Sequence, residues 1–185
     1  KTLFINTKTN KITMISFLRD TYIPKIPGYW ADKMNAAYAF GGVNCLDQTL
    51  AAYFGVHVDA NIVVQFDGFK AIIDMLGGVD VNMTEAEAKE IRRLSGGKWK
   101  LTPGMNHLTG EQALHYSRIR HIDSDFQRTE RQRKVIRAII EAYKNKPLGE
   151  MMAILEEVMP MITTNIPKDR IYRYAIGLFP MMTNS

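Results

Sequence analysis

Arginine is concentrated in one short part of this sequence. Residues 118–137 hold seven basic and three acidic side chains, a net charge of +4, compared with +5 for all 185 residues. Clustered positive charge indicates an anionic partner, such as nucleic acid, a phosphate or an acidic membrane face. The basic residues are Arg118, Arg120, Arg128, Arg131, Arg133, Lys134 and Arg137, and the acidic residues are Asp123, Asp125 and Glu130.

The phase of a helix predicted from residue 126 to about 145 indicates where some of these charges point. At 100° per residue, Arg128 and Gln132 fall on the apolar stripe of this helix, and Arg131 falls on its edge. A buried guanidinium without a counter-charge is very unfavourable. We therefore expect Arg128 either to pair with an acidic side chain or to line a pocket that receives an anion.

The helix dipole and the spacing of the arginines favour an anion. Arg128 and Arg131 lie near the positive end of the dipole, which is unfavourable by roughly 0.3–1 kcal/mol per charge unless an anion binds there. Arg118 and Arg120 are two residues apart, so an extended segment would present both on one face. Because one arginine can bind two phosphate oxygens at once, several converging arginines suit a pyrophosphate. The alternative is that these arginines are solvated or paired with local acids.

A second polar group is predicted after the strand at residues 11–17. Arg19, Asp20 and Thr21 follow this strand directly, and the ends of strands in α/β sheets often carry functional sites. Lys33 and Asn35, just before an apolar helix, are weaker candidates for functional residues.

Other chemistry finds little support in the sequence. The four histidines lack metal-binding spacing, and neither a phosphate-binding P-loop nor a G-x-S-x-G motif is present. The single cysteine, Cys45, cannot form an internal disulfide and is predicted to be buried.

Alternating strand and helix patterns predict an α/β domain with a layered sheet. The composition, 46% hydrophobic and 23% charged, is typical of a globular domain, and no apolar run is long enough to cross a membrane. Strands are predicted at 2–6, 11–17, 60–66 (buried) and 79–82, and helices at 33–40, 44–54, 68–76, 84–94, 110–117, 126–145, 150–159 and 168–178. The predicted caps are Asp67, Thr84 with Glu87, Thr109, and Asp125.

Several ordered blocks of the sequence resemble the LytR-CpsA-Psr family. Residues 118–132 match its R-x-R…D-x-D-F-x-R-x-x-R-Q pattern without a gap. Residues 16–21 are similar to its S-x-P-R-D-T loop, with Leu18 in place of proline. The other matching blocks are residues 32–38, 41–42, 66–69, 76–81 and 108–116.

The resemblance implies a three-layer α/β/α sandwich with a mixed central sheet and a hydrophobic cleft for a polyprenyl tail. We expect one catalytic domain over residues 1–185, with 147–185 as its helical C-terminal part. The implied enzyme is a phosphotransferase. It moves a glycopolymer, such as wall teichoic acid or capsule, from an undecaprenyl-pyrophosphate carrier to peptidoglycan, with Mg²⁺ as cofactor. An N-terminal membrane helix would hold it on the extracellular face of a Gram-positive type of envelope.

The resemblance also assigns roles by position. The pyrophosphate would be held by Arg19, Arg118, Arg120, Arg128, Arg131 and Gln132. Asp20 and Asp125 would orient the arginines or assist proton transfer, so the catalytic set is Arg19, Asp20, Asp125 and Arg128. Lys33 and Asn35 would shape the rim of the site.

Lys1 stands where the family has an aspartate, and the magnesium ligands of the family lie in a preceding strand. We therefore expect no metal ligands in this chain, which we expect to be a piece of a longer protein with a membrane helix. Either the ligands lie in that preceding strand or on another chain, or this protein lacks them. A non-catalytic polyprenyl-phosphate or wall-polymer binding protein is the alternative function. A nucleic-acid partner is disfavoured because Arg128 and Gln132 face the predicted core.

Overall fold

The computed structural model describes residues 1–6, 8–9, 11–120, 122 and 124–183, and for residue 175 and residues 177–183 it describes the backbone alone. The predictions that involve His121 and Asp123 therefore lie outside the described residues. Nowhere in the described part of the chain is a helix both long and apolar enough to cross a bilayer.

Strands and helices are mixed along the chain, which confirms the α/β prediction at that level. The strands are β1 (Thr2–Asn6), β2 (Lys11–Ile15), β3 (Tyr22–Ile23), β4 (Asp32–Lys33), β5 (Ile62–Val64), β6 (Val79–Met83), β7 (Gly104–Leu108) and β8 (Ile162–Thr164). The helices are α1 (Met34–Phe54), α2 (Phe66–Met75), α3 (Glu85–Leu94), α4 (Gly110–Arg118), α5 (Asp125–Lys144), α6 (Leu148–Val158) and α7 (Lys168–Thr183).

The strands of the described residues form four separate antiparallel pairs: β1–β2, β3–β4, β5–β8 and β6–β7. The mixed central sheet predicted from the resemblance is not present among them. Strands of two to five residues form few ladder hydrogen bonds. The pairs therefore depend on the helices that pack against them, and the three-layer sandwich stays a prediction.

The larger hydrophobic core surrounds the β6–β7 pair. Strand β6 alternates as a half-buried strand should, with Val79, Val81 and Met83 buried and Asp80 exposed. Helices α2, α3, α4 and α5 supply most of the other buried side chains: Ile73, Ile91, Ala113, Tyr116 and Val135. Because α5 contacts both α4 and β6, the first turns of α5 are held in a defined position beside the end of α4.

A smaller core forms around β3, β4 and α1. It contains Ile23, Ile26, Met34 and Leu50, together with Cys45, whose predicted burial is confirmed. Residues 41–42 interrupt the helical conformation of α1, as the predicted break between two helices requires. Gly42 has a φ of 63°, a conformation that glycine adopts without a steric penalty.

Three predicted details are wrong. Strand β5 is not buried, because Ile62 is 59% exposed. Asp67 lies inside the first turn of α2, which follows Gln65, and its carboxylate pairs with Lys70 at 2.7 Å instead of capping. Asp125 is likewise the first residue of α5, after the cap position of Ser124. The capping box predicted at Thr84 and the cap predicted at Thr109 are confirmed, and Thr109 also forms a capping box with Gln112.

The packing of α4 on α2 requires a glycine at residue 110. A Cβ added to Gly110 would lie 2.1 Å from the Lys70 carbonyl oxygen, and the Gly110 N–H donates to Asp74 Oδ1 at 2.7 Å. This contact fixes the start of α4 on α2, and so it helps to position Arg118, the last residue of α4.

Gly110→Ala should lower the free energy of unfolding by about 1–3 kcal/mol, because the methyl group displaces the α2 backbone. Urea denaturation measures this change. The control is Gly149→Ala, where a Cβ meets nothing within 4 Å and about 0.4–1 kcal/mol of stabilisation is expected. Equal stability of the two variants would contradict the packing argument.

Candidate functional site

Nine residues from separate parts of the chain surround a cavity of about 330 Å³ beside the turn from α4 to α5. They include five of the six residues predicted to hold a pyrophosphate. The lining consists of Lys1, Phe17, Arg19, Phe66, Arg118, Arg120, Arg128, Thr129 and Gln132. The structure thus gathers most of the predicted cluster, while its role in binding stays a prediction.

Arg118 and Arg120 reach the cavity because α4 ends between them. Ile119 follows the helix with a ψ of 132°, and its side chain is 1% exposed in the larger core. The two flanking arginines therefore point to the opposite face, as residues two apart in an extended segment must. The Arg118 guanidinium also lies over the Phe66 ring, 4.7 Å from its centroid, which holds it by a cation–π contact.

Arg128 carries an unmatched donor. Its side chain is buried, and its Nη2 donates to Asp125 Oδ2 at 2.9 Å. Its Nη1 is buried without a hydrogen-bond partner among the described residues. A buried charged donor without an acceptor is unfavourable by more than about 1–3 kcal/mol. An anionic oxygen in the cavity would remove this penalty.

The loop after β2 adds a further cation and its support. Arg19 lines the cavity, and its Nε donates to Asp20 Oδ2 at 3.1 Å. Lys33 Nζ lies 3.1 Å from the other Asp20 oxygen, and the backbone N–H of Asn35 donates to the Arg19 carbonyl at 3.0 Å. Lys33 and Asn35 thus contact the Arg19–Asp20 loop, outside the cavity wall.

These contacts determine the charge of Asp20. A hydrogen bond from Lys33, followed by one from Arg19, holds the pKa of the Asp20 carboxyl below its ordinary value. Asp20 is therefore an anion at neutral pH, which suits the orientation of Arg19 better than proton transfer.

The structure places Arg131 away from the cavity. Its side chain is 1% exposed, its Nη2 donates to the Ile119 carbonyl at 2.9 Å, and its Nη1 lies 3.5 Å from Glu87 Oε1. The predicted pyrophosphate contact of Arg131 is therefore not supported by this geometry. The helical phase placed Arg131 at the edge of the stripe, but it could not reveal a partner 44 residues away.

Lys1 was not predicted as a site residue. Its Nζ donates to Ser16 Oγ at 2.7 Å and to the Thr129 carbonyl at 3.4 Å, and the residue lines the cavity. Burial, with the nearby guanidinium groups of Arg133 and Arg128, lowers the pKa of the Lys1 ammonium to about 8. The unusual basic residue at the family's aspartate position was the available signal in the sequence.

The nine lining residues do not fit a magnesium site. Five are cationic and none is a carboxylate, whereas Mg²⁺ prefers carboxylate and water oxygens. Among the described residues, no group of three or more histidine, cysteine or acidic side chains could hold a metal ion. The magnesium ion therefore stays a prediction.

An apolar cavity of about 130 Å³ lies further along the same helices. Gln132 and Ile139 are seven residues apart on α5, about 10 Å along the helix axis. Phe66 and Ile72 are six residues apart on α2, about 9 Å. The apolar lining consists of Ile72, Leu76, Ile139, Tyr143, Ile154, Leu155 and Val158.

A family model described as the LytR_cpsA_psr family matches residues 2–184. The chain belongs to the LytR-CpsA-Psr family. One relative is the polyisoprenyl-teichoic acid–peptidoglycan teichoic acid transferase TagT of Bacillus subtilis, 34% identical over 180 residues, which are 97% of this chain and 55% of that protein. TagU of Bacillus licheniformis is 37% identical over 179 residues, 94% of this chain and 55% of that protein. The chain thus spans about half the length of these relatives.

Solved structures of family members share the fold. "TagT bound to LIIa-WTA" has a TM-score of 0.82 and 32% identity, covering 98% of this chain and 67% of that one. TagT "with bound octaprenyl pyrophosphate lipid" has a TM-score of 0.73 and 30% identity, covering 98% and 65%. Both scores show that the described helices and strand pairs adopt the arrangement of the family.

The depressed pKa of Lys1 predicts how anion binding depends on pH. Sulfate, whose charge is constant from pH 7 to pH 9, should bind roughly fivefold more weakly at pH 9. Lys1 loses its proton near pH 8, while the arginines stay charged. Isothermal titration calorimetry at constant ionic strength measures this change.

Lys1→Gln should bind sulfate weakly at both pH values, with most of the pH dependence lost. Lys89→Gln, on an exposed position of α3, should keep the wild-type profile. A wild-type affinity that does not change between pH 7 and pH 9 would contradict a role for the Lys1 ammonium in this cavity.

Proposed function

We propose that this chain binds the pyrophosphate of a polyprenyl-linked glycopolymer and transfers the polymer to peptidoglycan. The observation that carries the proposal is the buried Arg128 Nη1, which lacks an acceptor in a cavity lined by five cationic residues. A pyrophosphate supplies several anionic oxygens within the reach of one such cavity. The names of the relatives TagT and TagU support a teichoic acid as the polymer.

The two cavities match the two parts of such a substrate. The cationic cavity suits the headgroup, and the apolar cavity about 10 Å further along α5 suits the first part of a prenyl tail. The solved TagT complex with octaprenyl pyrophosphate supports this assignment, which here extends to an undecaprenyl carrier.

The proposed reaction is a displacement at the phosphorus that is attached to the polymer. An acceptor hydroxyl of peptidoglycan forms the new P–O bond, and the bond from this phosphorus to the polyprenyl phosphate breaks. The hydroxyl proton leaves to a base, and the polyprenyl phosphate departs as an anion. Arg118, Arg120 and Arg128 stabilise the negative charge that grows on the leaving phosphate and on the non-bridging oxygens.

The two carboxylates differ in their capacity to act as this base. Asp20 is contacted by two cationic side chains, Arg19 and Lys33. Among the described residues, Asp125 is contacted by Arg128 alone. We therefore assign orientation of Arg19 to Asp20, and we assign both orientation of Arg128 and acceptance of the proton to Asp125.

The proposal extends to location and fold. An enzyme with this donor and this acceptor works at the extracellular face of the cell membrane, held by an N-terminal helix. We propose that the complete domain forms the three-layer sandwich of the family. Capsule is an alternative to teichoic acid as the polymer, because the residues assigned to the headgroup do not select among sugars.

Arg118→Ala and Arg128→Ala should each weaken octaprenyl pyrophosphate binding by at least about tenfold and abolish transfer. The thermal midpoint of the free protein should change little, because these side chains bind the ligand instead of closing the core. Thermal unfolding without and with the lipid measures the midpoint of the free protein and the binding of the lipid. High salt should reduce the shift that the lipid causes.

Arg137→Ala is the matched control, since Arg137 is an exposed arginine on the same helix. It should retain wild-type binding and transfer. A large loss of stability in Arg128→Ala with transfer intact would show that the arginine is a structural ion pair. Binding without transfer by the complete protein would favour the alternative of a non-catalytic polyprenyl-phosphate receptor.

The apolar cavity generates a separate prediction about the tail. Ile154→Asn should weaken octaprenyl pyrophosphate binding by roughly tenfold and leave inorganic pyrophosphate binding unchanged, because a polar amide replaces apolar contact surface. Ala153→Asn places the same side chain on an exposed position of α6 and should bind both ligands normally. If Ile154→Asn weakened both ligands equally, the tail assignment would be wrong.

A further inference from the structure

Two consecutive side chains of α5 hold the backbone of the segment that carries Arg118 and Arg120. Arg131 Nη2 donates to the Ile119 carbonyl at 2.9 Å, and Gln132 Nε2 donates to the Ser117 carbonyl at 3.4 Å. Helix α4 ends at Arg118, so Ile119 and Arg120 lie beyond it, and the Ile119 N–H reaches the Tyr116 carbonyl at a long 3.4 Å. The contacts from α5 therefore provide support that the helix no longer gives.

Arg131 is itself held from the opposite side by Glu87. Arg131 Nη1 lies 3.5 Å from Glu87 Oε1, and both side chains are buried, at 1% and 7% exposed. Glu87 is anchored in turn by the capping box of α3, in which the Thr84 N–H donates to Glu87 Oε2 at 2.9 Å. The Glu87 carboxylate thus caps α3 and also supplies the charge that lets a guanidinium be buried here.

The contact at Ile119 lies between two residues of the cavity wall. Ile119 is fixed in the core, and Arg118 and Arg120 alternate to the other face. A shift of the Ile119 backbone would therefore move both guanidinium groups together. Misplacement by about 1 Å is enough to weaken a preorganised site strongly.

We propose that Arg131, anchored by Glu87, is a positioning residue that sets the place of Arg118 and Arg120 without contacting the substrate. This inference rests on the proposed function, because those two arginines are its headgroup ligands. It assigns Arg131 a different task from the direct pyrophosphate contact that the sequence predicted. It also makes the N-terminus of α3 part of the support of the site.

Arg131→Lys tests the proposal while keeping the charge. A single ammonium cannot match the separate guanidinium contacts with Ile119 and Glu87. The dissociation constant for octaprenyl pyrophosphate should rise roughly tenfold, the size of a coupling within one side-chain network. Glu87→Gln should act in the same direction, because it removes the charge that anchors Arg131. Its amide oxygen can still accept from the Thr84 N–H, so α3 keeps its cap. Arg137→Lys is the matched control and should bind normally.

A double-mutant cycle separates positioning from general destabilisation. In an Arg118→Ala, Arg120→Ala background, Arg131→Lys should change the affinity by less than about twofold, since its effect passes through the missing arginines. All variants are measured well below their unfolding midpoints, with folding checked by circular dichroism. A full tenfold effect in that background, or no effect in the wild-type background, would overturn the proposal.

Hydrogen exchange provides a readout that needs no ligand. In Arg131→Lys the amides of residues 118–120 should exchange faster, while those of the β6–β7 pair keep their protection. If the wild-type protein fails to bind the lipid, the proposed function fails, and this exchange experiment still decides whether Arg131 holds the segment. Unchanged exchange of residues 118–120 would overturn the positioning role.

Discussion

The site depends on bringing five cationic residues to one small cavity against their mutual repulsion. Asp20 and Asp125 offset part of this charge, through Arg19 and Arg128 respectively. The remaining attraction is available to an anion, and the buried Nη1 of Arg128 has no other acceptor among the described residues. A protein that stores positive charge in this way is stabilised by the ligand it binds. The same electrostatic repulsion therefore lowers the stability of the free site and raises its affinity for an anion.

Packing elsewhere in the same helices holds the cationic side chains together despite their mutual repulsion. Gly110 allows α4 to lie against the backbone of α2, and Ile119 is buried in the core immediately after α4 ends. Glu87 closes the capping box of α3 and faces the guanidinium of Arg131. Core packing and helix caps behind the charged cavity thus hold its wall in a rigid arrangement. Rigidity matters because preorganised donors need little rearrangement when charge develops on the substrate.

The geometry also separates two kinds of recognition on one pair of helices. The N-terminal ends of α2 and α5 contribute charged and aromatic groups to the first cavity, and their later turns contribute Ile72, Ile139 and Tyr143 to the second. A molecule with an anionic head and an apolar tail satisfies both. Neither a free sugar phosphate nor a plain lipid would use the whole arrangement. Under the proposed function, this division assigns the headgroup and the prenyl tail of the carrier to different turns of the same two helices.

Patterns that depend on neighbouring residues were predictable from the sequence. The capping boxes at Thr84 and Thr109, the β1–β2 hairpin and the inward phase of Arg128 all follow from backbone periods of two to four residues. The strand β7 was missed because Gly104–Leu108 lacks a clear alternating pattern and gains its order from pairing with β6. The burial of β5 was predicted wrongly for a related reason, since apolar composition does not reveal whether another layer covers a strand.

The order of the motifs in the sequence was enough to identify the family, and it predicts a pyrophosphate as the anion. The tertiary structure alone decided that Lys1 joins the cavity and that Arg131 leaves it, because each outcome depends on contacts between residues more than 40 positions apart. Such contacts depend on how whole helices pack, and helix packing reflects the shape and volume of many side chains at once. A local pattern can show that an arginine points inward, but only the packed fold determines whether it meets a substrate or a carboxylate.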